Sequence, residues 1–185
     1  MREFLLCSRT GRTDGNFRSL VDAGRLDVVY QCILTSIFKS QAHRKDVVFH
    51  AVLGGAPRPP VHIAVSGAEL RDAKVDERSW EGILRKVLSG GEHPGVTMDT
   101  SPLQGLVKER HEMGYRIFML NDRGEPFGKA ELGDDNLFVL GDQVGLSRND
   151  EGFVLRYGRS LSIGREKYLA ATCIDVINYL MDMRA

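Results

Sequence analysis

LFVLGDQVGLSRNDEGFVLRYGRSLSIGREKYLAATC, residues Leu137 to Cys173, carries the reading on which the fold turns. Two short apolar runs, Leu137 to Leu140 and Ser160 to Ile163, each end at a glycine. A short apolar run closed by Gly fits a parallel strand covered on both faces. The loop Gly141 to Gly145 follows the first, and Gly164 with a charged helix start, Arg165 to Tyr168, follows the second. Neighbouring loops at strand carboxyl ends, made permissive by glycine, are where an open α/β sheet holds a small ligand.

Upstream, Arg116 to Leu120 reads as a buried strand and Asn121 to Asp135 as a loop. Ser101 to Met113 reads as a helix with Ser101 as cap, Pro102 in the first turn and Gly114 at its end. Val96 to Met98 is a brief strand. Downstream of the first ligand loop, Ser147 caps a helix to Tyr157, and Tyr168 to Met183 is the last helix. Strand, helix, strand, loop, strand, helix, strand, helix predicts a mostly parallel α/β sheet with helices on both faces.

The N-terminal half begins with a strand, Arg2 to Ser8, and a glycine- and arginine-rich stretch, Arg9 to Gly24, that reads as a long surface loop. Its arginines either meet phosphates or are simply solvated. Leu26 to Phe38 has helical apolar spacing, and Asp46 to Leu53 is a strand. Val61 to Val65 returns after too short a link for a helical crossover, so a hairpin is one reading of the pair. Asp76 caps a helix running to Leu88.

The 185 residues suit one domain. Lys+Arg and Asp+Glu are 25 each, which argues against an overall basic nucleic-acid binder but leaves local basic patches open. No apolar run is long enough to span a membrane, and no signal peptide is read at the N-terminus. Cys7, Cys32 and Cys173 are far apart and lack metal spacing, which suits a reduced cytoplasmic compartment and no metal. No dinucleotide fingerprint, phosphate loop or GxSxG elbow is present.

LGDQVGL and SLSIGREKYLAATC, with MREFLL, GRLDVVYQCI, HRKDVVFHAVL, PPVHI and GAELRDAKVDERS, resemble the archaeal tRNA pseudouridine N1-methyltransferases of the SPOUT superfamily. The resemblance spans the whole chain. It implies a single domain with a deep trefoil α/β knot at about residues 116–185, and a homodimer in the cytoplasm. It implies S-adenosylmethionine as methyl donor and N1 of pseudouridine 54 in the tRNA T-arm as acceptor. A ribosomal RNA methyltransferase of the same fold and a non-catalytic RNA- or ligand-binding knot are the alternatives. The chain departs from the family at Gln143, where His is usual, and at Ala171 and Thr172, where Ser-His is usual.

The resemblance assigns donor binding to Leu120, Gly141, Ile163, Gly164, Arg165, Glu166, Lys167, Tyr168 and Cys173, with Cys173 lining the pocket rather than acting covalently. Methylation of N1 needs alignment and a group to take a proton. Asp27 and Glu77 are candidates, with Asp46 and Asp76. Arg25 and Arg78, with Arg44, are candidates for phosphates or the developing imidate charge. None is ranked above the others, and an ordinary Arg–Asp tie explains each pair as well. Arg9, Arg12, Arg44 and Lys45 are the expected RNA contacts, with Arg18 and Arg58 nearby.

Overall fold

The computed structural model describes residues 1–184. In chain order the elements are β1 (Arg2–Ser8), α1 (Leu26–Ile37), β2 (Phe38–Lys39), β3 (Ala42–His43), β4 (Val47–Leu53), β5 (Val61–Ser66) and α2 (Glu77–Leu88). Then come β6 (Val96–Asp99), α3 (Leu103–Glu112), β7 (Arg116–Pro126), β8 (Asn136–Gly141), α4 (Arg148–Tyr157), β9 (Arg159–Ser162) and α5 (Ala170–Asp182). A 3-10 turn, Phe127–Lys129, follows β7.

The seven-stranded sheet has the order β6-β5-β4-β1-β8-β7-β9, with β2 and β3 pairing separately. β1 sits in the middle, parallel to both β4 and β8. Its side chains alternate between two cores. Phe4 and Leu6 join the core under α1, α2 and α5. Leu5 and Cys7 join the core under α3 and α4. Burial on both faces is why its middle, Phe4 to Cys7, is uninterrupted apolar sequence.

β4 and β5 form the expected antiparallel hairpin. The expected parallel pairing holds for β7, β8 and β9. β6 is the exception, since it pairs only with β5 and antiparallel to it. Asp76 and Ser147 cap α2 and α4, accepting from the Ser79 and Asp150 amides. Ser101 does not cap α3. Its amide is bonded to Asp99, and Pro102 takes the cap position without a side-chain bond.

Two boundaries differ more. The last helix begins at Ala170, not Tyr168, because 164–169 runs irregularly along a cavity. β7 continues to Pro126 through an excursion, so that Leu120 and Glu125 both pair with Leu161. There Gly124 lies so close to β9 that a Cβ would stand 2.5 Å from the Leu161 amide nitrogen.

The 9–24 stretch is more than a surface loop. Leu20 and Ala23 are fully buried. The Thr13 hydroxyl donates to Gly55 O and accepts from Arg58 N, fastening the loop to the β4–β5 turn. Gly15 is pressed against the end of α2, where a Cβ would meet Arg85 O at 2.5 Å.

Candidate functional site

Parallel strands place their carboxyl ends on one rim, and there a cavity of about 480 Å³ opens. That volume suits a small-molecule site. Leu120, Asn121 and Asp122 come from β7 and its excursion. Leu140, Gly141 and the loop to Leu146 come from β8, and Leu161, Ile163 and Gly164 from β9. Val28 and Gln31 of α1, the 166–171 segment and Cys173 close the remaining sides.

Glycine is required where the β8 loop folds back. A Cβ on Gly141 would lie 2.6 Å from Gly145 Cα and from Leu146 N. Gly145 has φ +79, a left-handed conformation that favours glycine. Asp142 organises the turn between them. Its amide donates to Cys7 O, its carbonyl accepts from Gly145 N, and its Oδ1 accepts from Val144 N at 2.9 Å. On the opposite side the Ser162 hydroxyl bridges Asp122 O and Gly164 O. It thereby ties the end of β9 to the β7 excursion.

Of the nine residues expected at the donor, eight line this one cavity: Leu120, Gly141, Ile163, Gly164, Glu166, Lys167, Tyr168 and Cys173. Arg165 is exposed and lies outside the lining. Burial raises the Cys173 thiol, which disfavours the thiolate a nucleophile needs. Leu120, Leu140, Leu161 and Ile163 offer an apolar wall. The lining carboxylates Asp122, Asp142, Glu151 and Glu166 outnumber the single lining cation, Lys167. A mostly apolar pocket with an excess of carboxylates in its lining suits a ligand with an apolar ring and a positive charge.

The other candidates separate. Arg25 and Asp27 form a two-pronged pair at the start of α1, with Nε and Nη2 each 2.9 Å from a carboxylate oxygen. The pair precedes Val28 of the cavity wall, and Arg25 itself has φ +68. Glu77 and Arg78 lie in the first turn of α2, outside the cavity, and Asp76 is occupied as the cap. Arg44 and Asp46 belong to the opposite end of the sheet. Arg44 holds Asp182 at 2.7 Å, while Arg2 reaches Asp46, Asp182 and Asn178. This ties α5 to β1, so Arg44 and Asp46 act in the fold.

Arg12 is paired with Asp14. Arg9, Arg18, Lys45 and Arg58 are exposed and have no ion pair among the described residues. Two further exposed arginines, Arg123 and Arg148, were missed in the sequence. With Arg165, which the resemblance assigned to the donor, they stand beside or between cavity-lining residues and likewise have no ion pair among the described residues. No group of three His, Cys, Asp or Glu among the described residues is placed to hold a metal ion.

The comparisons with known proteins agree with this geometry. A protein from Methanocaldococcus jannaschii named tRNA (pseudouridine(54)-N(1))-methyltransferase is 31% identical over 201 residues, covering 100% of this chain and 98% of its own. One of the same name from Methanocella arvoryzae is 32% identical and covered completely on both sides. Among solved structures, Archaeoglobus fulgidus Nep1 bound to S-adenosylhomocysteine aligns over 86% of this chain and 71% of its own, with a TM-score of 0.65 at 15% identity. That likeness shows the fold. The family model described as "Putative SAM-dependent RNA methyltransferase" matches residues 1–185, and the chain belongs to that family.

Proposed function

We propose that this protein transfers a methyl group from S-adenosylmethionine to N1 of pseudouridine 54 in the T-arm of tRNA. The observation that carries the reading is the convergence of three strand ends on one cavity. Leu120, Gly141, Ile163, Gly164, Tyr168 and Cys173 meet there from distant parts of the chain. Full-length relatives bearing that activity in their names support the substrate.

The bound donor supplies an electrophilic methyl. This chain's residues supply the rest. The apolar wall of Leu120, Leu140, Leu161 and Ile163 would hold the adenine, with the close-packed backbone around Gly141 at its edge, and the lining carboxylates would attract the positive end of the donor. Arg25, held by Asp27, and the arginines at the rim attract the RNA backbone. Orientation of the acceptor nitrogen toward the methyl is the main catalytic demand.

A trefoil knot near the C-terminus and a homodimer belong to this proposal. The β7 excursion against β9, together with packing of α5 on α1, supports the knot. Exposed apolar side chains before and along α5, Leu169, Tyr179 and Met183, are what a second copy covers. No helix among the described residues is long and apolar enough to cross a membrane. We place the protein in the cytoplasm, where the three free cysteines stay reduced.

The test is incubation with labelled donor and a T-arm RNA containing pseudouridine. Methyl transfer to that RNA, and none to a uridine-only transcript, is the expected result. Transfer confined to ribosomal RNA, or donor binding without transfer, overturns it.

A further inference from the structure

The reaction must remove a proton from N1, and the structure narrows which carboxylate can take it. Both oxygens of Asp27 are committed to Arg25. Asp76 caps α2, Asp46 is tied to Arg2 at the far end of the sheet, and Glu77 lies outside the cavity. Among the residues that line the cavity, Asp142 stands apart. It is only 9% exposed, its Oδ1 accepts from Val144 N, and its Oδ2 is buried with no hydrogen-bond partner. No other side chain lining the cavity has such an atom among the described residues. Buried polar atoms are almost always paired, so an unpaired carboxylate oxygen asks for a partner that arrives later.

We propose that Asp142 is the proton acceptor for N1 of the target pseudouridine. The assignment rests on the reading of the preceding subsection. Asp142 follows Gly141 directly, so it adjoins the backbone that cups the donor. It also faces the start of α1 and the end of β1. Its charge helps to raise the Arg25 guanidinium, after the direct bond from Asp27. The Cys7 thiol is pushed up to about 11 by burial, then by Asp150 and Asp142. The Cys32 thiol is raised by burial first, with smaller contributions from Cys173 and Asp142. The titratable neighbours are thus Arg25 and Cys32 from the α1 side, Cys7 from β1, Asp150 and Glu151 from α4, and Lys167 from the segment before α5. Asp142 therefore lines the cavity beside the donor loop and acts electrostatically on the Arg25 end of α1.

The step balances. The N1 proton passes to Asp142 Oδ2, and the N–H bonding pair stays on N1. That pair forms the bond to the methyl carbon, and the carbon–sulfur pair returns to sulfur as the donor leaves as a neutral thioether. The protonated Asp142 then gives its proton to water.

The test uses the full chain with Asp142→Asn, which keeps the bond to Val144. Asp27→Asn serves as comparator. Single-turnover transfer to a pseudouridine-containing T-arm RNA is followed from pH 6 to 9.5. Calorimetry with S-adenosylhomocysteine and thermal melting are run alongside. Asp142→Asn is expected to slow transfer at pH 7 by roughly 100-fold or more. The deficit should shrink by about tenfold per pH unit as hydroxide ionises N1 instead. Product affinity should stay within about threefold and the melting temperature should not fall, because an unpaired buried charge has been removed. Asp27→Asn should slow transfer without that alkaline recovery. Near wild-type transfer by Asp142→Asn, a deficit constant across pH, or a matching loss of product affinity overturns the assignment. A wild-type chain that methylates no pseudouridine RNA overturns the underlying reading, and the assignment with it.

Discussion

His50 Nδ1 and His62 Nε2 stand 2.9 Å apart inside the sheet, between two carboxylates. His50 Nε2 lies 2.9 Å from Glu3, and His62 Nδ1 lies 3.1 Å from Asp99. Ionised carboxylates only accept, so each of those two nitrogens must carry a hydrogen. Arg110 Nε donates to the same Glu3 carboxylate at 2.6 Å.

This chain of bonds makes the fold acid-labile in two stages. Burial, followed by the charge on His50, lowers the His62 pKa below its usual 6.5. The unfolded chain therefore gains a proton that the folded one resists, and stability falls as pH drops through 6.5. Burial alone would raise Glu3, but its bonds to His50 and Arg110 win and bring it down to about 2. Its contribution is complete above 4.5 and is lost between 4.5 and about 2. Melting temperatures taken from pH 8 to 3 should fall in both windows. Glu3→Gln should lose the lower one and cost about 3 kcal/mol in urea denaturation at pH 7, since Arg110 Nε, His50 and Tyr115 lose their shared buried carboxylate and Arg110 keeps only the exposed Glu109.

Gly141→Ala and Gly124→Ala should both damage the donor site. The new methyl meets backbone at 2.6 Å in the first and 2.5 Å in the second, and backbone cannot rotate away. Calorimetry should show donor affinity reduced at least about tenfold, equivalent to about 1.4 kcal/mol. Gly152→Ala in α4 meets nothing within 4 Å and should stabilise by about 0.5–1 kcal/mol without changing binding.

Arg25→Gly separates shape from charge. Arg25 adopts a left-handed φ of +68 that glycine takes freely. Its guanidinium is half-exposed, but the Asp27 side chain is only 12% exposed and loses its partner. The variant should therefore melt lower, and at a temperature where it stays folded should transfer methyl at least about tenfold more slowly if the guanidinium meets the RNA. Unchanged transfer would confine Arg25 to holding Asp27.

The exposed arginines at the cavity rim should make RNA binding salt-sensitive. Each of Arg123→Ala, Arg148→Ala and Arg165→Ala should lower the salt slope of tRNA affinity by about one if it meets a phosphate. Donor affinity should barely respond to salt. Filter binding between 50 and 300 mM salt checks both.

Local signals carried far in this sequence. Asp76 and Ser147 were legible as caps because capping depends on the residues immediately following. Asp46–Leu53 and Val61–Val65 offered a hairpin as one reading because their link is too short for a helical crossover, and the structure bears that reading out. Gly141 and Gly164 marked the two loops that border the cavity. What was hidden lies in distant partners. Nothing near Glu3 announces His50 or Arg110, and nothing near Arg44 announces Asp182. The true start of α5 was masked because Arg165 to Tyr168 has helix-compatible residues, whereas the cavity keeps that segment irregular. Asp142 was passed over because its oxygen is conspicuous only once every neighbour's bonds are known. A carboxylate directly after a strand-ending glycine was the available hint.

The placing of β1 bears on how the chain is made. The central strand β1 leaves the ribosome before both of its neighbours, and β8 emerges more than a hundred residues after it. Arg2 likewise waits for Asn178 and Asp182, at the end of the last helix. Until then the nascent N-terminal half carries an apolar strand with one hydrogen-bonding edge bare, a state prone to sticking to other chains. Translation paused before β8 should therefore yield a species that chaperones bind and that release of the finished chain discharges.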